Sequence, residues 1–163
     1  ALIRSFAAAL EENPDISLTV VGDGPDLEAS KTLVKELNVS DKITFTGLLE
    51  GDALVEAYHR HDCLLMFSRY ENQPVVIIEA FACGIPVIAT DVGGIAELLA
   101  EKRGILVESG DEKGLKQAIL DFYKGADLAS PEELRQYILE RHAYAAVGKQ
   151  FHDLYLAALK RSI

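Results

Sequence analysis

Tryptophan is absent from this chain of 163 residues, methionine occurs once, and there are only two cysteines and five prolines. Two thiols cannot build a disulfide scaffold. Cys63 and Cys83 lie in apolar sequence, in a predicted strand and a predicted helix, where a small thiol packs as a hydrophobe, so both are expected to be reduced. Positive charge is also scarce: 16 Lys and Arg stand against 26 Asp and Glu, and the formal net charge of −10 argues against a nucleic-acid surface. The same deficit means that any anionic ligand would need cations placed locally. No apolar run reaches the roughly 18 residues that a membrane span requires. The opening residues ALIRSF lack the charged and apolar regions of a secretory signal, so the expected setting is cytoplasmic. Internal repeats and low-complexity segments are missing too. What is present is 49% hydrophobic residues, enough for one domain over 1–163 with an ordinary core.

Strand-like apolar runs occur at Leu18–Gly22, Ile43–Gly47, Cys63–Ser68, Val87–Thr90 and Ile105–Glu108. Helical spacing fills the intervals: an opening helix over Ala1–Glu11, then Leu27, Leu33, Val34 and Leu37, then Leu54, Val55 and Tyr58, and finally Leu115, Ile119 and Phe122 after the cap Asp111. Strands alternating with helices predict an α/β fold with a Rossmann-like, doubly wound parallel sheet of five strands, followed by C-terminal helices. Ser130, Pro131 and Glu133 read as a capping box, and a last helix from about 143 to 160 carries an apolar stripe of Val147, Phe151, Leu154, Tyr155 and Ala158 that calls for a packing partner. In such sheets ligands bind beyond the carboxyl ends of the strands. The glycine-rich loops fall there: Gly22 to Pro25, Gly47-Leu48, Ser68 to Gln73, and Gly93-Gly94.

The stretch from Ser68 to Glu97 is the most informative. Pro74 suits a first helical position, the run Val75 to Cys83 is apolar except for Glu79, and Gly84 supplies the left-handed stop before Pro86. A helix apolar nearly all round is expected to be buried, and an ionised Glu79 within it needs a partner. That partner is either a protein group or the hydroxyls of a ligand, since a carboxylate and a vicinal diol match as acceptor and donors. The amides of Val75 and Val76, at the positive end of the helix, are candidate phosphate donors.

The motifs in this stretch resemble those of retaining glycosyltransferases of the GT-B fold, of the large family-4 type. The resemblance rests on Glu71 and Glu79 with seven residues between them, then Ala80, Ala82, Cys83 and Gly84, then Pro86, Val87, Ala89 and Thr90, then Gly93, Gly94 and Glu97. Upstream, the VVGDGP at Val20 to Pro25 and the FTG at Phe45 to Gly47 look like the family's, as does the GILV with Asp111 downstream; the likeness runs to about Leu120. It implies the domain that binds a nucleoside-diphosphate sugar for metal-independent transfer, with no cofactor. Glu71 would hold a hydroxyl of the donor sugar, with Asn72 and Gln73 beside it, and Glu79 the ribose. Gly22, Gly24, Pro25, Gly47 and Leu48 would border the base, and Gly93 and Gly94 would keep room near the phosphates.

The chain departs from that pattern twice. Asn72, Gln73, Pro74 and Val75 stand where the family has G-F-G-L, so a proline replaces an amide donor and donor identity is left open. The family's first strand and its loop with an Arg and a Lys are not in this chain, nor is the N-terminal acceptor domain, so the chain alone is expected to be inactive. That strand would be the centre of a sheet ordered 3-2-1-4-5-6. Its flanking neighbours, Leu18–Gly22 and Cys63–Ser68, are therefore expected either to pair directly or to recruit an edge from another copy, giving a homo-oligomer. Two other readings stay in competition: half of a sugar-nucleotide epimerase, and a non-catalytic binding or assembly module. Gly22-x-Gly24 reads as a turn rather than a dinucleotide fingerprint, and His59, His61 and Cys63 do not have the paired clusters of a zinc site.

Overall fold

The computed structural model describes residues 1–161. Five parallel strands alternate with helices, as the apolar runs predict: α1 (Leu2–Glu12), β1 (Leu18–Val21), α2 (Leu27–Glu36), β2 (Ile43–Gly47), α3 (Gly51–His59), β3 (Leu64–Met66), α4 (Val75–Ala82), β4 (Val87–Thr90), α5 (Ile95–Leu99), β5 (Gly104–Val107) and α6 (Glu112–Tyr123), then α7 (Pro131–Arg141) and α8 (Tyr144–Arg161). Strand β4 is buried along its whole length and separates two cores. Ile88 points into one, with Phe6, Leu115 and Ile119 of α1 and α6. Val87 and Ala89 point into the other, with Ile77, Phe81, Leu98 and Leu134 of α4, α5 and α7. That alternation is the period of two of a strand covered on both faces.

The sheet is split. Strand β1 pairs with β2, and β3, β4 and β5 form a second sheet in that order, every ladder being parallel. Direct pairing of β1 with β3, one of the two expected outcomes, does not occur. A cleft of about 700 Å³ separates them instead, lined by Leu18, Thr19 and Val21 on one side and Leu64, Leu65 and Met66 on the other, with Phe6, Ile88 and Ile119 also on its wall. Helices α1 and α6 pack together and hold the two half-sheets at this spacing, so closing the gap would disrupt the Phe6 and Ile119 core. His61 ties its walls: it contacts Ala57 O through Nδ1 at 2.6 Å and Thr19 Oγ1 through Nε2 at 2.7 Å.

Several helix ends follow the sequence. Asp111 accepts from the Gly114 amide, Ser130 and Glu133 close a reciprocal capping box ahead of α7, and Gly84 turns left-handed at φ 78° after α4. Three features differ. Pro74 is the cap of α4 rather than its first residue: its ψ of 123° is extended, while its carbonyl accepts from Ile77 at 3.2 Å. Helix α4 is not buried all round, because Val75 and Val76 face outward at 62% and 40% exposure. The stripe on α8 is uncovered, with Phe151, Leu154 and Tyr155 all more than half exposed. No helix among the described residues is long and apolar enough to cross a membrane. Both cysteines are free thiols, half-buried.

Candidate functional site

The cleft runs on to the carboxyl ends of the strands, where the candidate residues fall into two groups. The first lines the cleft itself: Gly22 after β1, Leu48 after β2, Tyr58 on α3, and Val76 and Glu79 on α4. The Gly22 amide donates to Gly47 O at 2.8 Å, stitching the first two loops side by side. Both glycines sit at positive φ, 124° and 73°, a region that only glycine enters without strain. Gly24 and Pro25 are exposed in the turn before α2, outside the lining; the turn is held by Asp23 Oδ1, which accepts from the Gly24 amide at 2.7 Å.

Glu79 lies half-buried on the cleft wall. One carboxylate oxygen, Oε2, accepts from the Tyr58 hydroxyl at 3.2 Å. Among the described residues no protein group donates to Oε1, so the carboxylate retains acceptor capacity toward the cleft. Burial first, and then the charge of Glu79, pushes the Tyr58 phenol well above the ordinary tyrosine range, so it stays protonated and remains a donor. The helix carrying Glu79 opens with two unused donors, because the Val75 and Val76 amides make no hydrogen bond among the described residues. These amides carry the positive end of the helix dipole.

The second group is the loop after β3. Thr90, fully buried at the end of β4, donates through Oγ1 to Ser68 O at 2.7 Å, and Ser68 Oγ donates to Glu71 Oε1 at 2.8 Å. The next residue is tied from below, where the Gly94 amide donates to Asn72 O at 2.8 Å. Gly93, at φ 57°, lies so close that a Cβ there would stand 1.9 Å from Glu71 O. The room kept by the two glycines is therefore filled by the backbone of Glu71 and Asn72. This fastening fixes Glu71 outside the lining of the cleft, with Asn72 and Gln73 exposed beside it. Tyr70 is 86% exposed, as expected of a solvated loop.

Sequence reasoning missed Tyr58 and Thr90 as parts of the site. Tyr58 registered only as an apolar position in a helical spacing, although a phenol on an inward face signals a need for a hydrogen-bond partner. Thr90 entered as a strand end and as part of the resemblance, with no bond assigned to it. His61 is occupied by Ala57 and Thr19, and among the described residues no cluster of three His, Cys, Asp or Glu side chains could hold a metal ion.

With this geometry in hand, the likeness to known proteins is specific. The family model described as glycosyl transferases group 1 matches residues 1–141. The chain is 32% identical over 162 residues to N-acetyl-alpha-D-glucosaminyl L-malate synthase of Bacillus anthracis, covering 98% of this chain and 42% of the relative. It is 30% identical over 163 residues to alpha-monoglucosyldiacylglycerol synthase of Streptococcus pneumoniae, covering 98% of this chain and 36% of the relative. Among solved structures, sucrose-phosphate synthase from Thermosynechococcus elongatus superposes with a TM-score of 0.81 at 29% identity, over 98% of this chain and 42% of that one. HepE of Anabaena, solved with UDP and glucose, superposes with a TM-score of 0.81 at 21% identity, over 94% of this chain and 43% of that one, a likeness of fold. The chain thus spans less than half the length of these relatives. The family match, the GT-B neighbours and the split parallel sheet with its two glutamates agree: the chain belongs to the group 1 glycosyl transferases and corresponds to their C-terminal GT-B domain.

Proposed function

We propose that this chain is the donor-binding half of a retaining glycosyltransferase that moves a hexose-type sugar from a nucleoside diphosphate to an acceptor held by another domain, without a metal ion. The observation that carries the reading is Glu79: a carboxylate on the wall of the cleft, held through one oxygen, with acceptor capacity left for a pair of ribose hydroxyls. The loops at Gly22 to Pro25 and Gly47-Leu48 border the base. The Val75 and Val76 amides meet the diphosphate as negative charge develops on it, and cations supplied by a preceding segment complete the neutralisation. Glu71, fastened by Ser68, accepts from a hydroxyl of the sugar, with Asn72 and Gln73 at its side. Gly93 and Gly94 act here by letting that loop sit close to the end of β4.

Titration calorimetry of the full-length protein with a panel of nucleoside-diphosphate sugars, on the parent and on Glu79→Ala, tests the reading. Loss of two hydrogen bonds to a charged acceptor predicts roughly 100-fold weaker binding or more for the variant. Equal binding by both would refute the donor site. Residues 1–163 alone are expected to bind weakly and to transfer no sugar; affinity at micromolar or better for this segment would contradict the role given to the supplied cations.

A further inference from the structure

Resting on that donor-site reading, we infer that Tyr58 is the positioning residue for Glu79: its hydroxyl holds one carboxylate oxygen so that the other meets the ribose, which makes α3 a determinant of selectivity for nucleotides with an intact diol. Tyr58 is the eighth of nine residues of α3, and the bond reaches across to the second turn of α4. The two helices follow different strands that belong to different half-sheets.

A glutamate has three rotatable side-chain bonds, and at the mouth of a cleft it would sample several rotamers. A phenol that cannot ionise in the working range gives it one fixed donor. The same hydroxyl lies 3.2 Å from Val76 O, so its single proton has two acceptors, of which the ionised carboxylate is the stronger. Tyr58 and Glu79 are both on the cleft wall, and no other side chain among the described residues bonds to the Glu79 carboxylate. A neutral donor also leaves the carboxylate its full charge, where a Lys or Arg in the same place would compete with the ligand.

The test is a double-mutant cycle in the full-length protein, read by titration calorimetry. The probes are whichever of UDP, GDP and ADP binds the parent tightest and its 2′,3′-dideoxy analogue. Tyr58→Phe keeps the ring and removes the hydroxyl. It is expected to weaken the ribonucleotide about 3- to 10-fold, to leave the dideoxy analogue unchanged, and to add nothing in a Glu79→Ala background. Tyr58→Met, which fills similar space without a ring, should behave alike if the phenylalanine variant folds poorly. Equal weakening of both probes, or a penalty that persists in the Glu79→Ala background, would overturn the inference by showing a packing role. If Glu79→Ala weakens the ribonucleotide while Tyr58→Phe does not, the inference fails and the donor site stands. If Glu79→Ala has no effect, or none of the three nucleotides binds the parent, the donor-site reading fails and this one with it.

Discussion

Replacing Gly93 with alanine should cost both stability and donor binding, and the size of the loss can be worked from two features. The backbone there sits at φ 57°, where an L side chain costs about 1–2 kcal/mol. The added Cβ would also stand 1.9 Å from Glu71 O and 3.2 Å from Asn72 O, so the loop must retreat by more than about 1 Å to restore ordinary contact. Retreat breaks the bond from the Gly94 amide to Asn72 O, now 2.8 Å, for about 1 kcal/mol. The expected total is about 2–3 kcal/mol, part of it taken as movement of the loop rather than as unfolding. Gly110→Ala is the matched control, since Gly110 has φ 83° but nothing within 4 Å of where its Cβ would stand, so it should lose only the conformational cost. Urea denaturation and calorimetric titration of the nucleotide sugar on both variants separate the effects. Gly93→Ala should exceed Gly110→Ala in destabilisation and should alone lose affinity for the sugar-bearing donor. A Gly93→Ala protein with parental affinity and a midpoint matching Gly110→Ala would refute the idea that close backbone approach fixes the Glu71 loop.

Other sites give sharper or simpler outcomes. Arg103 is 7% exposed, donates to Leu98 O at 2.7 Å and stacks at 3.9 Å on Tyr137, so Arg103→Met should cost about 2–4 kcal/mol in denaturant melts by orphaning buried carbonyls. Ser130→Ala removes the side-chain half of the capping box of α7, the Oγ that accepts from the Glu133 amide, and should cost about 1 kcal/mol by the same measurement. Burial pushes the Cys63 thiol up to about 12, whereas the unfolded thiol titrates near 9. The folded state then holds the proton longer, so this contribution to stability is complete below pH 9 and is lost as pH rises toward 12; Cys63→Ala should flatten the alkaline limb of a stability-versus-pH curve. At pH 8, mass-resolved labelling with a thiol reagent should modify Cys83 before Cys63, because burial pushes the Cys63 thiol up to about 12 and keeps its thiolate scarce.

The five strands were legible because parallel strands covered on both faces are short apolar runs, and Leu18, Ile43, Leu64, Val87 and Gly104 open the elements within a residue of the expected starts. The caps were legible because Asp111 and Ser130 act on amides three residues away. The site needed coordinates wherever partners are distant in sequence. Tyr58 and Glu79 are 21 residues apart, and Thr90 and Ser68 are 22 apart. Nothing local shows that Gly93 abuts Glu71, since a glycine on a positive-φ turn reads the same whether its missing Cβ faces solvent or backbone. The period of α8 named an apolar face but not its cover, and Phe151 and Leu154 remain exposed. The apolar run of α4 likewise could not show that Val75 and Val76 are exposed. The gap between β1 and β3 falls where the resemblance places the family's first strand, but hydrophobic pattern could not show that the two strands stay apart rather than pair.

The central claim is that Glu79 receives the ribose of a nucleotide donor, and a crystal structure of the full-length protein with a bound nucleoside-diphosphate sugar tests it most directly. Ribose hydroxyls should lie within hydrogen-bond distance of the Glu79 carboxylate, about 2.5–3.0 Å, with Tyr58 still holding Oε2. A nucleotide seated elsewhere, or one in the cleft whose ribose leaves Glu79 bonded only to Tyr58, would contradict it.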